Sequence, residues 1–489
     1  MFCRNIKGDQ RGIALLGAMV IVLVLLVLAT TLLNLSGHEA ISASAAGQMA
    51  VAQQLADASA ELVAGWFHAP QSTSGIPAIV SLRARRNRDA DGAPSFFDAL
   101  GRSQFVGSTD QPDFRLQADN DSDNRLLNDP ENGLFRAMGQ LGLVEELKVY
   151  GPTDPGLLCT IDTTIATKTN PSVRQSVRMQ LGALDLPALK AAVQVGRHLG
   201  LFLPGGESPV TVHWGDLKVG ETLVLKRAKD LPRKSAIVPV TGQSYDETDQ
   251  REDRWMEAWV GGDVQLTQPS AQPVTDVPTN LHTGQNPIPG MRIDEWPYER
   301  LKRMAKRFGR YFAIDRDGLL YPQGIVEPGK GLSPDVALRS GAPGDQLGLI
   351  FIDTLDQTAP RLDNLGVLKL RAPYLEGTIV MQGHAVLAPN GTGSTIQALS
   401  PSTSAQGNVV AQTPIHLSGM HLNGVLYVRG TITVAGKVKL YGAVVAGETI
   451  AASGSGSSLE VWYDHELGEG LFRGLPVVYR APGTWVARY

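Results

Sequence analysis

The sequence predicts an α+β protein. One long N-terminal α-helix with a β-strand head is followed by a β-rich C-terminal region built as a parallel β-solenoid. An uncharged apolar run from Ile13 to Leu33 continues into an Ala-, Gln- and Ser-rich helical pattern that lasts to His68. Alternating apolar residues between Leu143 and Leu184 indicate strands. Further on, Gly424, Gly430, Gly436 and Gly442 recur at a spacing of six residues.

The composition indicates a folded protein of more than one domain. The chain has 489 residues, of which 43% are hydrophobic and 19% are charged. It contains 53 glycines and 30 prolines but only 6% aromatic residues, which favours turn-rich β structure over a helical bundle. The formal net charge of -4 gives no reason to expect nucleic acid as a specific partner.

The apolar run is long enough to cross a bilayer as a helix, so residues 13–35 are predicted to be transmembrane. Arg4, Lys7 and Arg11 precede the run against one acid, Asp9. By the positive-inside rule, the N-terminus stays in the cytoplasm and the head is exported across the inner membrane. The helix is predicted to span residues 13–69, about 84 Å to His68 at ~1.5 Å per residue. Its second half is expected to dock on the head through the face that holds Val51, Leu55, Leu62 and Trp66.

A glycine stands just before the apolar run, in Gln10-Arg11-Gly12-Ile13-Ala14-Leu15-Leu16. This start resembles class III leaders, and with the stretch from Gln53 to Leu62 it resembles the PilX N-terminal family of type IV minor pilins. The resemblance implies a leader peptide at 1–12, cut by prepilin peptidase between Gly12 and Ile13. A plain signal anchor or a cleaved secretory peptide is the alternative. However, no small-residue cleavage site follows the run.

Most pilins carry Glu at the fifth residue of the mature chain, where this sequence has Gly17. In the family that Glu pairs with the N-terminal amine of a neighbouring subunit. The resemblance therefore implies a low-copy subunit of a type IV pilus or pseudopilus rather than a repeating shaft subunit. It also implies that other pilins and the pilus assembly machinery are partners, and that the head is finally displayed on the pilus, in the periplasm or at the cell surface.

The rest of the chain divides into three predicted regions. Residues 70–184 form a pilin-like head with an irregular insertion at 71–132, and 185–344 form a β-strand region with a Pro-rich loop and a basic helix. The Gly-paced solenoid is placed at 345–489, with the stretch from Val477 to Tyr489 as a cap. The glycine repeat contains two apolar columns, and the alternative to a solenoid is an antiparallel meander. The columns comprise Leu426, Ile432, Val438, Val444 and Ile450, and Val428, Val434, Leu440 and Ala446.

Two segments are candidate binding sites. Asp119, Asp121 and Asp123 alternate as the ligands of calcium loops do, although the expected Gly and Glu positions are not matched. An acidic, solvated loop is the alternative, and no cofactor other than calcium is expected. An amphipathic helix from Glu299 to Arg310 is predicted to bury Leu301, Met304, Ala305 and Phe308. It would present a basic surface of Lys302, Arg303, Lys306, Arg307 and Arg310.

No catalytic constellation is evident, so the protein is not expected to be an enzyme. His213 and Asp216 lie in a strand-like run, and His384, His416, His421, Asp464 and His465 are scattered without ligand spacing. Two alternatives to a structural minor pilin remain, a pilus-borne adhesin that binds a surface or glycan and a membrane-anchored solenoid enzyme that acts on polysaccharide. After loss of the leader with Cys3, Cys159 is the only thiol, so no intramolecular disulfide is expected.

Overall fold

The computed structural model describes residues 10–68, 75–89, 92–169, 172–200, 210–225, 257–267, 281–293, 296–339, 342–344, 347–403, 409–473, 475 and 477–488. The α-helices in these ranges are α1 (Gln10–Trp66), α2 (Asp121–Asn128), α3 (Tyr298–Phe308) and α4 (Pro334–Ala337). Short 3₁₀ helices occur at Ala78–Val80, Leu82–Ala84, Arg136–Met138 and His465–Glu469. The leader residues before Gln10 lie outside the described residues.

The strands, in chain order, are β1 (Asn87–Arg88), β2 (Pro94–Ser95), β3 (Phe114–Gln117), β4 (Gly142–Tyr150), β5 (Cys159–Thr167), β6 (Arg174–Ala183), β7 (Val193–Val195), β8 (His198–Gly200), β9 (Val210–His213), β10 (Leu217–Val219), β11 (Thr222–Leu225), β12 (Ala258–Val260), β13 (Val264–Leu266), β14 (Leu281–His282), β15 (Arg310–Ile314), β16 (Leu320–Pro322), β17 (Leu349–Thr354), β18 (Val367–Leu370), β19 (Leu375–Met381), β20 (His384–Leu387), β21 (Ser394–Thr403), β22 (Val409–Met420), β23 (Leu422–Val428), β24 (Ile432–Val434), β25 (Lys437–Ala446), β26 (Thr449–Ala452), β27 (Ser458–Tyr463), β28 (Val478–Arg480) and β29 (Val486–Arg488). They fall into two compact units. The first comprises Met1–Ala84, Gly101–Gly182 and Val478–Tyr489, and the second comprises Arg85–Leu100 and Ala183–Val477.

The first unit packs the second half of α1 against an antiparallel sheet with the order β28-β6-β5-β4-β3. Small residues form the centre of the buried helix face and let β5 approach closely, and the Ser59 hydroxyl donates to Thr163 Oγ1 at 2.8 Å. The buried face comprises Ala52, Leu55, Ala56, Ser59, Ala60, Val63, Trp66 and Phe67. The predicted face was therefore correct for Leu55 and Trp66. It was wrong for Leu62, which is 38% exposed because the sheet covers the adjacent stripe of small residues.

The end of the chain belongs to this same sheet. Strand β29 pairs antiparallel with β6, with Ala487 opposite Val177, and β28 also neighbours β6. The last residues were predicted to cap the solenoid. Instead their apolar positions complete the head sheet, so the whole segment Ala183–Val477 is an insertion in the chain of the first unit.

The second unit is β-rich and contains two sheets of mainly parallel strands. The larger has the order β14-β12-β10-β7-β25-β23-β19-β17-β15-β16, with β27 and β9 attached through β25, and only its β15–β16 pair is antiparallel. The smaller has the order β13-β11-β8-β26-β24-β20-β18 and is parallel. The predicted parallel pairing is confirmed, and the meander is excluded for β23 to β27 by their registers.

The registers explain the six-residue glycine spacing. Gly424 pairs with Gly442, so one step between neighbouring strands spans three repeats. Both glycines have positive φ, and a Cβ on Gly442 would lie 1.8 Å from the carbonyl oxygen of Gly424. Glycine is therefore required where the backbones stack at this bend. Gly430 fills another tight corner, where a Cβ would meet His384 and the Gly383 carbonyl.

The order of strands differs from the predicted division at residue 345. Strands before and after that point belong to the same two sheets, and β7 pairs directly with β25, with Val193 opposite Val444. A strand near the start of the segment Ala183–Val477 thus pairs, in the middle of the sheet, with a strand near its end. Sequence spacing could not reveal this, because the two strands are separated by most of the inserted segment.

Candidate functional site

The N-terminal half of α1 is the most exposed apolar feature of the described chain. Its most apolar window has a mean hydropathy of 2.7, none of that window is buried within the chain, and it is long and apolar enough to cross a membrane. The hydroxyls of Thr30 and Thr31 both donate to the Val27 carbonyl, at 2.9 and 2.7 Å. These bonds satisfy the hydroxyl donors within the helix itself, as polar groups in the hydrocarbon region of a bilayer must be.

The predicted leader junction, Gly12–Ile13, lies in the backbone of α1, and α1 continues unbroken from Gln10 to Trp66. At Gly17 no atom comes within 4 Å of the place where a Cβ would lie. A Cβ would therefore be accommodated at this position in the isolated chain. The absence of Glu is not imposed by packing within the described residues.

The C-terminal segment holds the outer side of α1 within the first unit. The Trp485 indole donates to Asp57 Oδ1 at 2.7 Å, Arg480 forms an ion pair with Glu61, and His68 Nε2 contacts the Val478 carbonyl at 2.9 Å. Burial lowers the pKa of His68, although its hydrogen bond to that carbonyl acts in the opposite direction. These contacts bind the helix and the chain terminus into one head.

Of the proposed calcium ligands, Asp121 and Asp123 lie in the first turn of α2, and Asp119 precedes its N-cap residue. Asn120 caps this helix by accepting from the backbone of Ser122 and Asp123, while Asp123 Oδ2 accepts from the Gln117 amide at 3.2 Å. Asp121 and Asp123 lie two apart in the first helical turn and so do not face each other. No group of three or more His, Cys, Asp or Glu side chains arranged to hold a metal occurs among the described residues. Calcium binding stays a prediction, without support from this geometry.

The predicted basic helix forms α3, with Leu301, Met304 and Ala305 buried as expected. Phe308 was predicted to be buried but is 48% exposed, because the helix ends there and β15 begins at Arg310. Lys302 was predicted on the basic surface, but its Nζ lies 2.5 Å from Asp353 Oδ2 in a largely buried ion pair.

That ion pair belongs to a satisfied buried network. The Tyr311 hydroxyl also donates to Asp353 Oδ2, at 2.7 Å, and Lys302 Nζ donates to the Gln357 carbonyl at 2.8 Å. Burial, followed by the hydrogen bond to Asp353, raises the pKa of Tyr311. Four of the five predicted basic residues are exposed, namely Arg303, Lys306, Arg307 and Arg310. Of these, Lys306 lies 4.3 Å from the centre of the Tyr311 ring and Arg307 lies 5.1 Å from that of Phe308.

Neighbouring strands of the larger sheet bring five side chains into one row that sequence reasoning missed. Paired registers align Glu376, Asn423, Tyr441, Trp462 and His213 across β19, β23, β25, β27 and β9. All are buried or nearly so. The alternation of buried and polar residues within each strand was visible in the sequence. Their alignment depends on which strands pair, and no sequence spacing reports that.

Most polar groups of this row, and those of Asp464 near it, have partners within the second unit, although Asn423 Oδ1 accepts no hydrogen bond from the described residues. Glu376 accepts from the Tyr374 hydroxyl at 2.6 Å and from the Gly344 amide at 2.9 Å. Asp464 lies 3.5 Å from Arg473 Nε. Burial raises the pKa of Asp464, opposed by Arg473. His213 stacks on Trp462 with ring centres 4.3 Å apart, and its Nε2 lies 2.8 Å from Glu460 Oε1.

The remaining candidates are dispersed. Burial raises the pKa of Asp216 to about 6, while burial lowers the pKa of His465 to about 4 and also lowers that of His421. His384 Nδ1 accepts from the Thr431 amide, and His416 lies in the β21–β22 hairpin. Burial raises the pKa of the Cys159 thiol, the only described free cysteine.

Among the comparisons with known proteins, similarity was found with solved structures. No protein-family model matches the chain, and no curated protein matches it. Among solved structures, the competence-associated pilin ComZ from Thermus thermophilus is similar at 13% identity, over 80% of this chain and 91% of ComZ, with a TM-score of 0.24. At that TM-score the similarity carries no argument about fold or function.

Proposed function

We propose that the chain is a PilX-like minor pilin, incorporated at low copy into a type IV pilus or pseudopilus. Prepilin peptidase removes residues 1–12, α1 anchors the protein in the inner membrane, and the exported β-rich head serves assembly or presentation at the tip. The partners of this proposal are other pilins and the assembly machinery. The same helix would leave the membrane to pack among other pilin helices in the filament.

The continuity of α1 carries this proposal. A single helix is exposed and apolar at its N-terminal end and buried at its C-terminal end, where Ser59 and Val63 pack under an antiparallel sheet. A helix that served only as a secretion signal would not need to continue and pack against the sheet of a folded domain. One that serves first as a membrane anchor and then as a filament contact needs both halves in one rigid rod.

Gly17 supports low copy number. In a shaft, a repeated charge pair between each subunit and the next would need Glu at this position. The space around Gly17 has room for a Cβ, so packing among the described residues does not require glycine there. The lack of Glu is therefore a feature of the proposed assembly role. The large insertion Ala183–Val477 agrees with this, because such a bulk repeated along a shaft would crowd its neighbours.

The second unit, with its two sheets of mainly parallel strands, is best interpreted as a β-solenoid. Strands of the larger sheet are followed directly in the chain by strands of the smaller sheet, as in β7 to β8, β10 to β11, β23 to β24 and β25 to β26. Such alternation forms a coil when like strands stack in parallel. We also propose that the head is non-catalytic, since Glu376 and Asp464 are buried and engaged by neighbouring groups.

Replacement of Gly12 tests the assembly proposal. In cells that contain a prepilin peptidase, Gly12→Phe should accumulate with its leader intact and be absent from sheared filaments. The matched control is Gly17→Ala, a glycine in the same helix with free space around it, which should be processed and incorporated normally. Unchanged processing or filament incorporation of Gly12→Phe would overturn the proposal.

A second candidate function is that of a pilus-borne adhesin. It is favoured by one observation, a charged cavity at the surface of the second unit, lined by Arg361, Arg429 and Glu448. If the chain serves assembly, deletion of its gene would abolish filaments. If it is only an adhesin, the same deletion would leave filaments that no longer bind. Counting filaments by electron microscopy beside a surface-attachment assay separates the two roles.

A further inference from the structure

A surface cavity in the second unit has a volume of about 270 Å³. One wall comes from the loop after β17, and the other comes from the corner between β23 and β24 and the residue before β26. It is lined by Pro360, Arg361, Leu362, Leu365, Arg429, Gly430 and Glu448. Ligand pockets begin at about 300 Å³, so this volume suits one sugar-sized group better than an extended chain.

The loop wall is held in place by its own hydrogen bonds. Asp356 Oδ1 accepts from the Thr354 hydroxyl at 2.9 Å, the Thr358 amide at 3.2 Å and the Asn364 side chain at 3.1 Å. Desolvation acts to raise the pKa of Asp356, but these hydrogen bonds outweigh it and hold that pKa at about 2. Arg361 is fixed on the same loop by ion pairs with Asp356 at 3.0 Å and Asp363 at 3.2 Å. This wall is therefore preorganised.

The opposite wall is part of the parallel sheets. Gly430 has no room for a side chain, since a Cβ would lie 2.6 Å from His384 Nδ1 and 2.7 Å from the Gly383 carbonyl oxygen. The Arg429 guanidinium lies 5.1 Å from the centre of the Tyr298 ring, and in the part of the chain that the structure describes it forms no ion pair. A ring contact of this kind leaves the N–H groups at the edge of the guanidinium available to an anion.

We infer that this cavity binds a single carboxylated sugar unit, such as the uronate residue of an acidic polysaccharide. Arg429 would hold the carboxylate through paired N–H donors. Glu448, whose Oε2 accepts from the Thr431 hydroxyl at 3.3 Å, would accept from sugar hydroxyls. Leu362 is 95% exposed at the rim and offers apolar contact to the C–H face of the ring.

The charges favour a carboxylated sugar over other small ligands. A neutral sugar would leave the Arg429 donors without an anion, and a phosphate dianion would be repelled by the Glu448 carboxylate. A carboxylate carries one negative charge, and the hydroxyls of the same sugar supply donors for Glu448. The cavity therefore combines an anion site with an acceptor for hydroxyls and an apolar rim.

The test is titration of the full chain in detergent micelles with methyl β-glucuronide, followed by ligand-observed NMR. Methyl β-glucoside and inorganic phosphate are the comparison probes. Glucuronide should bind, and both comparison probes should bind at least about tenfold more weakly. No glucuronide binding, or equal binding of the glucoside or of phosphate, would overturn the inference.

Variants locate the binding. Arg429→Gln and Leu362→Ser should each weaken glucuronide binding, Arg429→Gln by roughly tenfold or more. Leu362 is almost fully exposed, so its replacement should not affect folding. The control is Arg197→Gln, an exposed arginine outside the cavity that pairs with Glu221 at 3.3 Å, and its affinity should be unchanged. Affinities of Arg429→Gln and Leu362→Ser equal to that of Arg197→Gln would refute the site.

This inference does not depend on the pilin assignment. Binding of glucuronide by the purified chain requires neither leader cleavage nor filaments. If Gly12→Phe were processed normally while glucuronide bound, the assembly proposal would fail and the sugar site would stand. If Gly12→Phe kept its leader and glucuronide did not bind, the sugar site alone would fail.

Discussion

A substitution at Gly424 tests whether stacked glycine positions hold the parallel sheets together. Gly424 has φ +139°, and an added Cβ would lie 2.1 Å from the Gly377 carbonyl oxygen and 2.9 Å from its carbon. These are backbone atoms that cannot rotate away. Gly424→Ala must therefore shift β23 against β19, with which Gly424 is paired through Gly377.

The cost can be assembled from the separate effects. A positive φ costs an L-residue about 1–2 kcal/mol, and forced overpacking costs about 1–3 kcal/mol. Each ladder hydrogen bond lost on displacement adds about 1 kcal/mol. We expect Gly424→Ala to lower the local opening free energy of β23 and its neighbours by about 3–5 kcal/mol.

The matched control lies in the same repeat. At Gly436 the nearest atom to an added Cβ is Pro389 Cδ at 4.0 Å, and Gly436 does not have positive φ. Gly436→Ala should leave the opening free energy within about 1 kcal/mol of the parent value.

Hydrogen exchange by mass spectrometry on the full chain in detergent, read at peptides from 422 to 446, measures the difference. Equal protection in Gly424→Ala and Gly436→Ala would refute the steric reasoning. A loss of protection confined to Gly424→Ala is the predicted result.

Three further predictions follow from the described contacts. In a denaturant titration, Lys302→Met should destabilise the second unit by about 3–5 kcal/mol, because it leaves Asp353 buried without its cation. The control Arg303→Gln, on the exposed side of α3, should change the unfolding free energy by less than about 0.5 kcal/mol. Similar changes for both variants would refute the buried ion pair. Burial raises the pKa of Asp216 to about 6 in the folded state, above its unfolded value. Between about pH 4 and 6 the folded chain therefore binds more protons than the unfolded chain. The unfolding free energy should fall by roughly 2–3 kcal/mol as pH rises through that window. Asp216→Asn should remove this pH dependence of the unfolding free energy. If the variant and the parent protein lost stability in parallel as pH rises, the prediction would be wrong. Because burial raises the pKa of Cys159, its thiol should resist a soluble disulfide reagent in the native protein and react fully on unfolding, and rapid reaction of the native protein would show that Cys159 is accessible.

The sequence predicted those parts of the fold that depend on local pattern. Hydropathy predicted the start of α1, and the continuation of the helix past the apolar segment follows from helix-forming residues up to Trp66. The glycine period predicted parallel stacking, because Gly424 and Gly442 have to approach backbone to backbone. Burial of Leu301, Met304 and Ala305 followed from helical spacing alone.

Features that depend on pairing between distant segments were not predictable in this way. The return of Val486 to β6 and the pairing of β7 with β25 join strands far apart in the chain. Lys302 was assigned to the surface because its position on the helix is at the edge of the buried face. Asp353, the residue that draws it inward, is contributed by β17 and is invisible to helical periodicity. The sugar cavity likewise combines a loop after β17 with corners of two later strands.

The intact mass of the protein isolated from inner membranes tests the central claim most directly. In cells with a prepilin peptidase the account predicts a chain that begins at Ile13 and retains all of the apolar segment of α1. In otherwise identical cells without that enzyme the chain should begin at or near Met1. A chain that begins beyond the apolar segment, or the same N-terminus in both strains, would contradict the pilin-like account.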